Sequence, residues 1–481
     1  MKKFWFRTGC TLLAALMLTA SLASCKKKNN DPDEGTQKTT VATSEGEKGA
    51  NLPDVDYNNY NFVVLVRNND QAAGDVWVES TTEDDVVTSV WMRNQYLKDT
   101  FNVTLSVKRS TMSNDDTTAL KDIQSNACDY DLIATHGRSA MDYAVNNCGY
   151  NWYNLPYVDL SADWWCRGAV DSWTVDGRVF CMVGDLSYMN VGQAMCMYFN
   201  KKILSDNNIE YPYQLAIDDK WTLEQMKKIA LDCYNGMDNK TGTFSLADDS
   251  FAYVTGGWRG PMQMLYSTGY KIVEGNKVGE FRLGVYNQIT QNAYEEYLDN
   301  FLGTSACDAS DAGYDTMQKA FKENRVVFYD DLLEDSKEFD GVDFGIMPWP
   351  KSDENVYDYP TMVNAFSNSF VVPITTTNAE RTSVILEAMA YYGYKNTIPT
   401  YFDQVLSYKY SPDSQSTQML QMIRQALVYD LGYYYVVGEV SNLGRTMYLM
   451  KSARSMSALY QSDAKAALNK LNTNWGNIKV S

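Results

Sequence analysis

The chain has 481 residues, beyond the roughly 250–300 at which a single hydrophobic core stops growing, so two or more lobes are expected. With 45 % apolar and 21 % charged residues the composition is that of a folding chain. Its 42 Lys+Arg against 60 Asp+Glu leave a net charge of −18, a field that repels phosphate backbones, and no basic stripe offsets it, which argues against nucleic-acid binding. One histidine, His136, occurs in the whole chain. His-rich zinc sites are thereby excluded, and any Ser-His-Asp or Cys-His machinery would depend on that residue.

In chain order, Lys2, Lys3 and Arg7 precede an apolar run, Thr11–Leu22, of signal-peptide length and too short to span a bilayer. It ends in Leu22-Ala23-Ser24-Cys25, which resembles the lipobox of bacterial lipoproteins. In that reading residues 1–24 are removed and Cys25 is acylated, two chains supplying the double anchor that stable membrane attachment needs. Residues 25–54 are polar and almost without large apolar side chains, the composition of a flexible tether. No later stretch approaches 18 consecutive apolar residues, so no transmembrane helix is expected. Seven further cysteines lack CxxC spacing, leaving open one or two disulfides among Cys128–Cys196 or simply buried thiols.

Phe62–Val66 is a continuous apolar run, the pattern of a strand buried on both faces. Glu83-Asp84-Asp85 opens a helix with Val86, Val90 and Leu97 on one side. Strands at Val103–Val107 and Asp131–Ala134 flank a helix over Asp116–Ala127, and this alternation predicts a parallel α/β sheet. The pattern restarts with a strand at Met195–Phe199 and a helix that Thr222 caps, with Gln225 in the capping-box position. Further strands are predicted at Val326–Tyr329, Phe344–Met347 and Phe370–Val372. Asn378 caps a long helix that Gly393 could close, and Ser455–Leu471 is amphipathic.

Chemistry-bearing motifs are few. Acidic pairs such as Asp330-Asp331 are expected by chance among so many carboxylates, and a glycosidase needs two that face each other across a bond. No Walker loop, GxGxxG or GxSxG occurs, and Asp308–Asp315 fails the alternating ligand pattern of a calcium loop. The aromatics are more suggestive: 11 Trp, 35 Tyr and 17 Phe, several in turn-like polar surroundings. Flat rings beside amides and carboxylates suit polyhydroxylated ligands, although most such tryptophans pack in cores, so two or three are expected to touch a ligand.

Several segments taken together resemble the extracellular solute-binding proteins of bacterial ABC importers, family 1, in the sugar-binding branch. They are the lipobox and tether, Glu79–Asn94, Asp129–Ile133, Tyr198–Leu204, Lys220–Glu224, Phe344–Lys351 and Pro373–Tyr392, in order from about Tyr60 to the C-terminus. The resemblance implies an α/β, two-lobed periplasmic-binding-protein-like fold (type II), with a ligand cleft between lobes joined by hinge crossings near Met195–Asn200, Asn364–Phe370 and Ser411–Ser416. Lobe one would comprise 55–197 plus 366–412, and lobe two 198–365 plus 413–481.

It further implies a monomer that is not an enzyme, with no cofactor and no metal-ligating residues, and leaves open whether a metal ion helps. Anchored through Cys25 to the outer face of the cytoplasmic membrane, it would deliver a carbohydrate to permease subunits. A ligand-presenting sensor and a surface glycosidase are the competing readings. The expected cleft residues are Asn68, Glu79, His136 and Arg138 from lobe one; Trp164, Trp165, Asp185 and Tyr188 before the first crossing; Trp258, Arg259 and Asp330 opposite them from lobe two; and Asn364 near a crossing. Family members often carry aromatic residues after the strand at Val326–Tyr329, where this chain has Asp330-Asp331.

Overall fold

The apolar runs become two larger sheets, and a third, two-stranded one pairs β9 (Thr361–Met362) with β11 (Leu427–Val428). β1 (Tyr60–Val66), β2 (Val103–Arg109) and β3 (Leu132–His136) are parallel, with β10 (Asn368–Val371) antiparallel on the β3 edge, in the order β10-β3-β1-β2. The second sheet, β6-β5-β7-β4-β8, uses β4 (Met195–Asn200), β5 (Phe251–Val254), β6 (Cys307–Asp308), β7 (Val326–Leu332) and β8 (Phe344–Met347). It is mixed, because β4 runs antiparallel to both β7 and β8. This computed structural model describes residues 50–479 other than 114–118, 235–244, 303, 305, 309–312, 408–413 and 436–437. The signal segment, Cys25 and the tether to residue 49 lie outside the described residues, as do 411–413 of the third expected crossing and the centre of the Asp308–Asp315 loop.

Helix caps follow the local chemistry. Asp84 accepts from the backbone N–H of Val86 and Val87, both at 2.9 Å, and the helix Asp85–Phe101 ends on left-handed Asn102. Gln225 N donates to Thr222 Oγ1 at 3.3 Å. The helix that Asn378 caps, Ala379–Tyr392, does not stop at Gly393: the glycine is itself helical, with φ −58°, and the chain continues through a wide turn into Ile398–Ser407. The glycine is required by proximity, since a Cβ there would strike the carbonyl of Asp185. All seven described cysteines are free thiols, four of them buried.

Two strands of chain cross between the sheets and are stitched together. Ala194 and Val363 form an antiparallel bridge, and Asn364 N donates to Gln193 O at 2.8 Å. The first crossing therefore precedes β4, and the expected lobe boundary at 197/198 falls inside that strand. The C-terminal region is shared between the sheets. Leu443–Met450 packs on the helix Arg259–Tyr266, whereas Arg178 Nη1 donates to Ile478 O at 3.0 Å. Among the described residues no helix is long and apolar enough to cross a membrane.

Trp164 and Trp165, expected in the cleft, are core residues at 4 % and 3 % exposure. Their indole N–H groups donate to the two oxygens of Glu387 at 2.9 and 2.8 Å, and Trp152 and Tyr391 pack edge-on against them. Glu387→Ala would leave two buried N–H groups without acceptors, each costing about 1–3 kcal/mol. The melting temperature is expected to fall by several degrees; a change within error would show that water replaces the carboxylate.

Candidate functional site

The stitched crossings form the floor of a cavity of about 450 Å3, lined by His136, Arg138, Gln193, Trp258, Arg259, Glu334, Asn364, Ala365, Phe366 and Tyr433. Each wall has a local cause. His136 ends β3, and its Nδ1 accepts from Arg138 N at 3.2 Å, capping the helix Gly137–Val145. Gly137 N donates to Ala365 O at 2.8 Å, and a Cβ on Gly137 would collide with the Tyr434 ring. That close approach presses the end of β3 onto the crossing and places Arg138 over the faces of Tyr433 and Trp258, at 4.7 and 5.7 Å. Arg138 Nη2 also donates to Asn442 Oδ1 at 3.2 Å.

Opposite, Trp258 leads into the helix Arg259–Tyr266, its ring 5.7 Å from that of Tyr433. Arg259 donates to Asp331, and to Asp335 Oδ2 at 2.9 Å, while its guanidinium lies 4.1 Å over the Tyr314 ring. Burial opposes its charge, but Asp331, Tyr314 and Asp335 outweigh that cost and hold its pKa above the ordinary arginine value. Burial, and next the Asp331 carboxylate, push Asp335 upward. Burial likewise raises Glu334, which accepts from Gln71 Nε2 at 2.5 Å. The first sheet's segment carrying Gln71 and the second sheet's segment carrying Glu334 thus touch directly.

Of the residues expected in the cleft, His136, Arg138, Trp258, Arg259 and Asn364 are brought together. The others are not. Asn68 and Glu79 are exposed and are not among the residues that line the cavity. Asp185 is buried and paired with Arg424 at 2.5 Å. Tyr188 lines a separate cavity. Asp330 is 1 % exposed, its Oδ2 accepting from Tyr253 Oη at 2.7 Å and Trp349 Nε1 at 2.9 Å. Asp330 and Asp331 are neighbours on a strand, so they point to opposite faces, and only Asp331 reaches Arg259.

Sequence reading missed Gln193, Glu334, Phe366 and Tyr433. Glu334 looks like part of a solvated acidic run, and Tyr433 is one of three consecutive tyrosines. Phe366 stands two residues past Asn364, on the same crossing. No group of three or more His, Cys, Asp or Glu among the described residues is placed to hold a metal ion.

No protein-family model matches the chain, and no curated protein matches it in sequence. Solved structures do. The sugar-binding protein MalE from Xanthomonas citri is 11 % identical at TM-score 0.56, over 87 % of this chain and 97 % of that one. UspC of M. tuberculosis is 15 % identical at TM-score 0.55, over 84 % and 99 %. The GacH receptor of Streptomyces glaucescens, solved unliganded and with acarbose, is 13 % identical at TM-score 0.51, over 87 % and 100 %. The fold is the two-lobed solute-binding fold. Within it, the four-stranded sheet lies in one lobe and the five-stranded sheet in the other, and the cavity draws side chains from both.

Several carboxyls buried in these lobes sit well above the ordinary carboxylate range. Burial pushes Asp330 and Glu387 up to about 7, and Asp185 and Asp430 up to about 6. Between roughly pH 4 and 7 the native chain therefore holds protons that the unfolded chain has released, so this contribution is complete at low pH and is lost as pH rises through 6–7. Melting temperature is expected to fall between pH 5 and 8. Asp330→Asn, which can keep both accepted hydrogen bonds, should flatten part of that slope; an unchanged slope in the variant would show that Asp330 is ionised throughout.

Proposed function

We propose that this chain is a lipid-anchored extracellular solute-binding protein that captures a carbohydrate between its lobes and delivers it to the permease of an ABC importer. The observation that carries the reading is the cavity itself. Trp258 and Phe366 offer aromatic surface for the C–H faces of a sugar, with buried Tyr433 packed behind Trp258 and Arg138. Arg138, Gln193, Asn364 and Glu334 offer donors and acceptors for its hydroxyls. The ligands in the structures of fold neighbours support the same class: acarbose for the Streptomyces receptor and maltotetraose for a cyclo/maltodextrin-binding protein of TM-score 0.52 and 13 % identity.

The mechanism follows from where the lining residues sit. Arg138 and His136 belong to one lobe, Trp258, Arg259 and Glu334 to the other, and Gln193 and Asn364 to the crossings. A ligand touching all three stabilises the closed arrangement in proportion to how much better it binds that arrangement than an open one. A permease that recognises the closed form then discriminates loaded from empty protein. Glu334 is the one carboxylate lining the cavity among the described residues, whereas two-carboxylate glycoside hydrolysis needs a pair, which favours binding over turnover. Export and acylation at Cys25 rest on the residues of the lipobox.

Residues 50–481, which form one compact unit, can be tested alone. A mono- or oligosaccharide at about 100 times its dissociation constant should stabilise the unit by roughly 2.7 kcal/mol, a shift of a few degrees. Shifts with peptides or polyamines only would overturn the ligand class. Arg138→Ala and Trp258→Ala are each expected to weaken that binding about tenfold or more, with little change in the unliganded melting temperature. Titration calorimetry checks both, and wild-type affinity in either variant would place the ligand elsewhere.

A further inference from the structure

We infer that the sugar held between the lobes carries one carboxylate, as a uronic acid unit does, and that Arg138 is the residue that recognises it. The inference rests on the carbohydrate reading above and narrows it to a charged ligand. Two arginines line the cavity, and their partners differ. Arg259 donates to Asp331, and to Asp335 Oδ2 at 2.9 Å, so its charge is matched inside the protein. Arg138 is held by neutral groups among the described residues: Asn442 Oδ1 at 3.2 Å and the faces of Tyr433 and Trp258, at 4.7 and 5.7 Å. Elsewhere Arg178, Arg325, Arg381 and Arg424 each pair with a carboxylate. Arg138 thus leaves an unmatched positive charge in the wall of the cavity, in a chain that is acidic as a whole.

The setting of Arg138 suits a carboxylate. A guanidinium lying over rings offers them its flat face and keeps its edge N–H groups for a planar acceptor, which two parallel hydrogen bonds can hold. Such charge-assisted bonds are roughly twice as strong as those to a neutral hydroxyl. The opposite wall limits the ligand to one such group. Glu334 lines the same cavity and accepts from Gln71 Nε2 at 2.5 Å, so a second anion near it would meet a like charge. The net charge of −18 repels anions at long range. Salt screens that field beyond about 8 Å at physiological ionic strength, so the charges at contact decide affinity.

The test compares each uronic acid with its neutral parent. Residues 50–481 are titrated calorimetrically with glucuronic, galacturonic and mannuronic acids, free and as one end of a disaccharide. The corresponding neutral sugars, glucose 6-phosphate and succinate are titrated alongside. One acidic sugar is expected to bind about tenfold or more tightly than its parent. In Arg138→Gln that preference should fall to about twofold or less, whereas Arg138→Lys, which keeps the charge and loses the fork, should retain part of it. Unliganded melting temperatures check that the variants fold, and Arg138→Lys carries the comparison if Arg138→Gln does not. Equal affinity for acid and parent would overturn the carboxylate and leave the carbohydrate reading standing. So would tighter binding of the 6-phosphate, or an acid preference that folded Arg138→Gln keeps in full. Binding of succinate alone, or of no saccharide at all, would overturn the carbohydrate reading itself, and the inference with it.

Discussion

The antiparallel bridge between Ala194 and Val363, reinforced by Asn364 N donating to Gln193 O, is the constraint on which the rest of the molecule depends. Each sheet delivers one end of a strand to this junction through a backbone hydrogen bond. Gly137 N at the end of β3 donates to Ala365 O at 2.8 Å, and Leu333 N at the end of β7 donates to Ala194 O at 2.9 Å. Such groups cannot be left unpaired away from water, so the two lobes are registered against each other by the need to satisfy them. Arg138 and Glu334 follow directly from those two anchor points, and a cavity opens between them.

The acidic character of the chain is managed by the same economy of partners. Asp75 is fully buried, yet it accepts from Ser187 Oγ at 2.6 Å, Tyr188 N at 3.0 Å and Asn368 Nδ2 at 2.8 Å, tying a helix, the first crossing's approach and β10 together. Asp331 meets Arg259, and Glu387 meets two indoles. Each carboxyl is costly to bury in its charged form and becomes tolerable through hydrogen bonds that also fix geometry. Around the cavity this arrangement leaves Arg259 held by carboxylates and Arg138 resting on aromatic faces, both guanidinium-bearing side chains lining the cavity.

Aromatic residues serve two ends that composition cannot separate. Trp152, Trp173, Trp221, Trp349 and Trp475 are fully buried, and the Trp164–Trp165 pair is sealed against Glu387. Among the described tryptophans, Trp258 alone lines the main cavity. The difference arises at the start of the helix Arg259–Tyr266. There Gly260 lets the backbone lie so close to Thr255 and Asp330 that a Cβ would not fit, which turns the preceding indole outward against Tyr433.

What the sequence determined by itself was everything governed by near neighbours: the strands Phe62–Val66, Val103–Val107 and Met195–Phe199, the caps at Asp84, Thr222 and Asn378, and the ends of strands where His136, Arg138 and Trp258 would stand. These follow from side-chain periodicity and from the orphan donors of a helix's first turn, which act over a few residues. The tertiary structure decided which of those positions meet. Trp164, Trp165, Asp185 and Asp330 turn inward because their partners, Glu387, Arg424 and Tyr253, arrive from far along the chain. Glu334 and Tyr433 join the site by the same kind of distant approach. Gly393 continues a helix instead of ending it because the carbonyl of Asp185 lies against it. Contacts between segments 77 to 239 residues apart leave no local periodicity to read, and it is those contacts that separate a buried carboxylate from one that lines the cavity.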